Sequence, residues 1–139
     1  MTFVDTNVII DILSSDDIWG PWSIDRLSDA RFNGPAIINI VVLAELSRNY
    51  RSLNDLQADI AALGLVSEPV DDVAAFIAGQ RFVAYREARK EDRAYRVLPD
   101  FFVGAHAFTR QMPLLTRDLT LYRRYFPELT LITPETDPA

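Results

Sequence analysis

Residues 1–13 read MTFVDTNVIIDIL, and the passage from TFV to NVIIDIL decides how the chain is built. Three residues suited to a buried strand end at Asp5, and a stretch with helical spacing of apolar residues begins at Asn7. A strand that runs through a short polar turn into a helix is the first half of a β–α unit. The carboxylate at the junction has two readings. It caps the helix by accepting a hydrogen bond from a free backbone N–H, or it is a ligand for a cation, and one aspartate alone does not choose between them.

Working outward, the same alternation repeats along the chain. Strands are expected at residues 2–5, 35–38, 65–67, 113–115 and 129–133. Helices are expected at 7–14, 19–30, from the cap at Asn39 to about residue 50, and at 53–63, where Gly64 is the stop. A long helix starts at Asp71 and Asp72, with Val73, Phe76, Ile77, Phe82 and Val83 as its apolar positions. A charged loop leads from it to Pro99, and helices follow at 101–111 and 118–125. Strands alternating with helices predict an α/β fold, a mostly parallel central sheet flanked by helices on both faces. Residues 1–139 are expected to form one domain, without repeats, linkers or low-complexity tracts.

Composition removes several chemistries. With no Cys and one His (His106), neither a thiolate nucleophile nor a zinc site of Cys and His is available within the chain. A metal here must be held by oxygen, which favours hard cations such as Mg²⁺ or Mn²⁺. No apolar run approaches the roughly 20 residues of a membrane span, and Asp5 and Asp11 interrupt the N-terminal stretch that a signal peptide would need, so a cytoplasmic protein is expected. The net charge of −6 argues against holding nucleic acid by charge alone. Basic residues nevertheless gather between Arg81 and Arg96, six against three acids, and again at Arg117, Arg123 and Arg124. The Arg81–Arg96 run reads as a solvated helix face, with an RNA backbone as the alternative.

Three acids fall where strands end or helices begin: Asp5, Asp100 after Pro99, and Asp118 after the strand PLLT. A fourth, Glu45, lies in INIVVLAEL on a helical face with Val41, Arg48 and Asn49, opposite Leu43, Leu46 and Tyr50. Singly, each of the first three is as well explained by capping, and Glu45 by a solvated face. Together they are harder to explain that way. Carboxylates gathered at the carboxyl end of a sheet repel one another, and burial makes this worse. A divalent ion would stabilise all of them at once and could activate a bound water.

The four acids stand in FVDTNVIIDIL, VVLAELSR, LPDFFVGAHA and LLTRDLTLYRRYFP, and with these strings the chain resembles the PIN-domain family of metal-dependent nucleases, in particular VapC-type toxins of toxin–antitoxin pairs. The resemblance runs over nearly the whole chain. It implies a PIN-like fold, an acidic metal site on Asp5, Glu45, Asp100 and Asp118, and an endoribonuclease that leaves 5′-phosphate and 3′-hydroxyl ends. One or two Mg²⁺ ions, replaceable by Mn²⁺, would serve that site. Asn7 and Thr116 match positions that support the acids or a metal-bound water, and a turn or cap contact is their other reading. The resemblance also implies a cognate antitoxin, a homodimer, and a larger complex that meets operator DNA through the antitoxin. The antitoxin is expected to place a basic residue near Asp5 and Asp100.

The remaining positions have plainer readings. His106 is six residues from Asp100, which on a helix turns it away, so it is assigned a structural hydrogen bond. Asp11 is expected to be solvated. Trp22 is expected in the core, and Trp19 in the core or against the antitoxin. A metal-free ribonuclease using the RNA 2′-hydroxyl would need an acid and a base of suitable pKa, and the chain offers one His and one Lys. A phosphatase with Asp5 as nucleophile would want a second Asp in place of Asn7 and a nearby Lys, and a receiver-like signalling domain would want the same Lys. A non-catalytic PIN-like binding module is the third rival, and the complete set of acids argues against it.

Overall fold

The computed structural model describes residues 1–89 and 94–138. Five parallel strands form one sheet in the order β3-β2-β1-β4-β5. They are β1 (Thr2–Val4), β2 (Ala36–Ile38), β3 (Leu65–Ser67), β4 (Leu114–Leu115) and β5 (Leu131–Ile132). Seven α-helices connect the strands among the described residues: α1 (Thr6–Leu13), α2 (Gly20–Asn33), α3 (Ile40–Ser47), α4 (Leu53–Ala62), α5 (Asp72–Arg89), α6 (Leu98–Thr109) and α7 (Leu119–Tyr125). A 3₁₀ turn over Ala94–Val97 leads into α6. The expected α/β class and the helical cover on both faces are observed. Phe3 and Val4 are adjacent in the central strand, point to opposite faces and are both fully buried, which requires packing on each side.

The order of the strands creates the site. From β1 the chain steps outward to β2 and β3, then returns to add β4 and β5 on the other side. At such a reversal the loops leaving two neighbouring strands diverge and open a crevice at their carboxyl ends. Here those strands are β1 and β4, followed by Asp5 and by Thr116–Asp118.

Local chemistry explains most boundaries. Asn39 caps α3 by accepting from the Val41 and Val42 amides, and Ser52 caps α4. Gly64 ends that segment at φ +72°, a left-handed conformation that glycine adopts freely. The core unites Phe3, Ile9, Ile38, Leu46, Phe101, Tyr122 and Phe126, all with essentially no solvent exposure.

Three expectations need correction. Helix α6 starts at Leu98 rather than Phe101, because Pro99 sits in its first turn, where a missing N–H costs nothing. In α5 the core takes Ala74, Ala78 and Phe82, while Val73, Phe76 and Val83 are exposed; small side chains at every fourth position let α5 lie close against α6. Asp11 is not solvated but buried, for a reason given below. The charged loop before Pro99 falls largely on residues 90–93, outside the described residues. No described helix is long and apolar enough to cross a membrane.

Candidate active site at the carboxyl edge of the sheet

Asp5 is the most buried of the four acids, at 3% exposure. It leaves β1 in extended conformation and also serves as the N-cap of α1, so both readings of its position hold geometrically. Its Oδ1 accepts from the Thr6 backbone N–H at 2.7 Å. Its Oδ2 accepts from three side chains: Thr116 Oγ1 at 2.8 Å, the Tyr122 hydroxyl at 3.0 Å and Asn7 Nδ2 at 3.3 Å. These donors come from α1, the loop after β4, and α7, so a single carboxylate ties three segments together.

The support is itself fixed. The Thr116 hydroxyl donates to Asp5 and accepts from Asn7 Nδ2 and the Asp118 N–H, which uses its full capacity. Asn7 Oδ1 accepts from the Arg117 N–H at 3.1 Å, which settles the orientation of its amide. Thr6 Oγ1 donates to Glu45 Oε1 at 2.7 Å and brings α3 to the same edge. Asp100 lies in the first turn of α6, half-buried, with no hydrogen bond to its carboxylate among the described residues. Asp118 is exposed and caps α7 through the Leu121 amide.

Electrostatics join the four. Burial pushes the Asp5 carboxyl up to about 6, against the pull of its hydrogen bonds to Thr116, Thr6 and Tyr122 and with a further push from Glu45. Asp100 is raised to about 8, first by burial and then by the negative charges of Asp5, Glu45 and Asp118. The favourable field at a helix N-terminus, worth about 0.3–1 kcal/mol, is too weak to reverse this. The Tyr122 hydroxyl is also raised well above its ordinary value, by burial and by Asp5 and Asp100. Among the described residues, no three acids stand close enough together to hold a metal ion between them. The arrangement is an open acidic edge with an oxygen-only donor set, which fits a hard divalent cation that keeps several of its waters.

Two features escaped the sequence. Tyr122 was hidden in the apolar face of a short helix, although a fully buried tyrosine needs a partner for its hydroxyl. Asp11 is 2% exposed because Arg117 grips it with two bonds, Nε to Oδ2 at 2.6 Å and Nη2 to Oδ1 at 3.0 Å, and Ser23 Oγ adds a third at 2.9 Å. An acid inside the apolar run VIIDIL was the available signal. The pair latches the loop after β4 onto α1, and Trp19 packs half-buried beneath the Arg117 guanidinium.

Residues 2–127 match the family model of the PIN domain. The chain belongs to the PIN domain family. PIN-domain proteins are nucleases that generally use a divalent metal. Solved structures with the same fold include a chain of VapBC2 from Rickettsia felis bound to a promoter DNA fragment. It has a TM-score of 0.66 at 20% identity, covering 95% of this chain and 97% of the other. A toxin–antitoxin complex from Klebsiella pneumoniae contains another, with TM-score 0.60 at 22% identity and 96% and 98% coverage. A third is in FitAcB from Neisseria gonorrhoeae, with TM-score 0.61 at 19% identity and 97% and 99% coverage. Among curated proteins, none matches.

The other candidates of the sequence lie apart from this edge or serve the scaffold. His106 is buried, with Nδ1 3.2 Å from Asn39 Nδ2 and Nε2 2.7 Å from Glu68, which Arg110 also holds. The Asn39 oxygen is committed to the α3 cap, so its NH₂ faces His106 and fixes Nδ1 as the acceptor and Nε2 as the donor. Trp22 is in the core, with its indole N–H on the Asp137 carbonyl. Arg81 is bound to Glu128 and the Tyr125 carbonyl rather than solvated. Arg86 and Arg89 stack on Tyr95 and Tyr85; Lys90 and Arg93 lie outside the described residues.

Proposed function

We propose that the chain is a Mg²⁺- or Mn²⁺-dependent endoribonuclease, the toxin of a toxin–antitoxin pair. One observation supports the reading: the half-buried Asp100 carboxylate has no hydrogen bond among the described residues, and its carboxyl is raised first by burial and then by the charges of Asp5, Glu45 and Asp118. A carboxylate set held in mutual repulsion is a stability cost that a divalent cation would relieve. Asp5, Glu45, Asp100 and Asp118 would hold the ion, and Asn7 and Thr116 would keep Asp5 aimed. When bound, such an ion lowers the pKa of a water and offsets charge on a phosphate oxygen.

The protein's own residues prepare that chemistry. Asp5 is held rigidly by strand β1 and its four donors, so little ordering remains for the moment of reaction. Asp118 and Glu45, more exposed than Asp5, lie toward the solvent from which RNA and water arrive. Water attack in line on the phosphodiester would leave 5′-phosphate and 3′-hydroxyl ends. The fold is shared with chains of VapBC2 bound to a promoter DNA fragment, of a toxin–antitoxin complex from Klebsiella pneumoniae, and of FitAB bound to an IR36 DNA fragment. A cognate antitoxin, a homodimer, and an operator complex formed through the antitoxin are accordingly part of the proposal, as is a cytoplasmic setting.

The open spacing of the acids favours one rival, a non-catalytic PIN-like binding module. Mapping cleavage sites on total cellular RNA separates the two. The wild type should cut in Mg²⁺ and not in EDTA, and Asp5→Ala should not cut in either. Cleavage that resists EDTA and survives loss of both Asp5 and Asp100 would end the nuclease reading proposed here.

A further inference from the structure

Beside the acids stands a group of residues that the cleavage chemistry leaves unused. At the end of α5 the Arg86 guanidinium lies over the ring of Tyr95, 4.6 Å from its centroid, and Arg89 lies over Tyr85 at 5.4 Å. Tyr95 leans on the buried Phe82, with ring centroids 5.4 Å apart, yet is 56% exposed. Arg86, Arg89 and Arg96 are exposed as well. We propose that this ledge of stacked arginine and tyrosine holds single-stranded RNA, with a base against Arg86 and Tyr95 and phosphates on the arginines. This deepens the endoribonuclease reading above and rests on it.

Position and charge both favour this occupant. The 3₁₀ turn of Ala94–Val97 runs straight into α6, whose first turn carries Asp100. Helical rise over those five residues places Tyr95 about 9 Å from Asp100 along the chain. Tyr85 also packs on Phe101, the neighbour of Asp100, at 5.6 Å. A chain of net charge −6 with an acidic edge repels a polyphosphate, so RNA needs a local cationic hold. The ledge supplies one: across the described residues 85–89 and 94–97 there are three arginines and a single acid, Glu87.

The stacking decides for unpaired RNA. A guanidinium laid flat on a ring points its N–H groups outward at the edge, where a phosphate can accept two of them. Because Arg86 is exposed, a base can extend the stack over its outer face. Only an unpaired base is free to do so, since an A-form duplex keeps its bases stacked on one another. A tyrosine that served packing alone would be covered, as Phe82 and Phe101 are.

Fluorescence anisotropy with a short labelled oligouridylate, in EDTA so that binding is read without cleavage, tests the ledge. Arg86→Gln should weaken binding about fivefold and lower the slope of log affinity against log salt by about 0.7, the share of one phosphate contact. Tyr95→Leu should weaken binding about fivefold or more, the loss of one stacked base, with the slope unchanged; Tyr95→Phe should bind like wild type. Arg86→Gln alters an exposed side chain and keeps the test open if Tyr95→Leu folds poorly. Arg51→Gln makes the same charge change in the turn before α4 and should leave binding intact. Equal binding by wild type, Arg86→Gln and Tyr95→Leu overturns the proposal, as does an equal loss in Arg51→Gln or equally tight binding of a duplex RNA. Ledge variants that lose antitoxin affinity and keep the oligouridylate assign the surface to the protein partner and overturn it too. All of these leave the nuclease reading standing, whereas a wild type that binds through the ledge and cuts no cellular RNA in Mg²⁺ ends that reading alone.

Discussion

Replacing Asp100 by Asn should stabilise the cation-free protein while abolishing its response to cations. The reason is linkage between proton binding and folding. The Asp100 carboxyl stands at about 8 in the folded protein and near 4 in an unfolded chain. Because the folded value is the higher one, the contribution of this group is fully present below pH 4 and is lost as the pH rises toward 8. At pH 7 the loss spans about three pH units, roughly 4 kcal/mol at 1.36 kcal/mol per unit. Asp100 is only partly buried and its push comes partly from charges that solvent screens, so about 2 kcal/mol is the reasonable share. Asparagine keeps the shape and carries no charge to lose. For a domain of this size 2 kcal/mol corresponds to a rise in Tm of about 6–8 °C. The assay is a thermal melt in EDTA at pH 5.5 and 7.5, followed by Mn²⁺ titration at the higher pH. Wild type should melt lower at pH 7.5 than at pH 5.5 and recover with Mn²⁺; Asp100→Asn should melt higher than wild type at pH 7.5 and ignore Mn²⁺. A wild-type Tm that is flat across this range, or an Asp100→Asn variant that melts below wild type in EDTA at pH 7.5, would refute the repulsion argument.

Arg117→Ala should destabilise the fold by about 2–4 kcal/mol in urea melts, since it leaves Asp11 charged and buried; the double change Asp11→Leu with Arg117→Met should recover most of that loss. Gly104→Ala should cost about 1–3 kcal/mol, because a Cβ there would stand 2.5 Å from the Phe126 ring; a neutral result would mean that α6 and the end of α7 are not in this contact. An antitoxin whose basic tail residues are neutralised should inhibit cleavage less well than the unaltered one. Equal inhibition would replace charge pairing at Asp5 and Asp100 by simple occlusion of the edge.

Legibility in the sequence followed the range of the forces involved. The β–α alternation was readable because strand and helix periodicity are local, and Asn39, Gly64 and Asp71 announced their caps and stops in the residue type itself. The start of α6 was misread because proline in a first turn looks the same as proline before a helix, and Val97 in the cap position offers no polar signal. The buried face of α5 was misread because the close approach of α6 selects Ala74 and Ala78 over the larger Val73 and Phe76. The four acids could be singled out by position, yet their unequal burial, from Asp5 inside to Asp118 outside, depends on which loops fold over which strand ends. The partners of Asp11 and Tyr122 are long-range, and no local pattern names them.

The span of those long-range bonds has a consequence in time. Two of the three donors to Asp5 Oδ2 lie 111 and 117 residues later in the chain. Central strand β1 likewise waits for β4 before both of its edges are paired. A growing chain that has only reached α5 still lacks the loop and helix that orient the Asp5 carboxylate. Competence at this site should therefore switch on late and abruptly during synthesis, and a nascent chain cut short before Tyr122 should be inert.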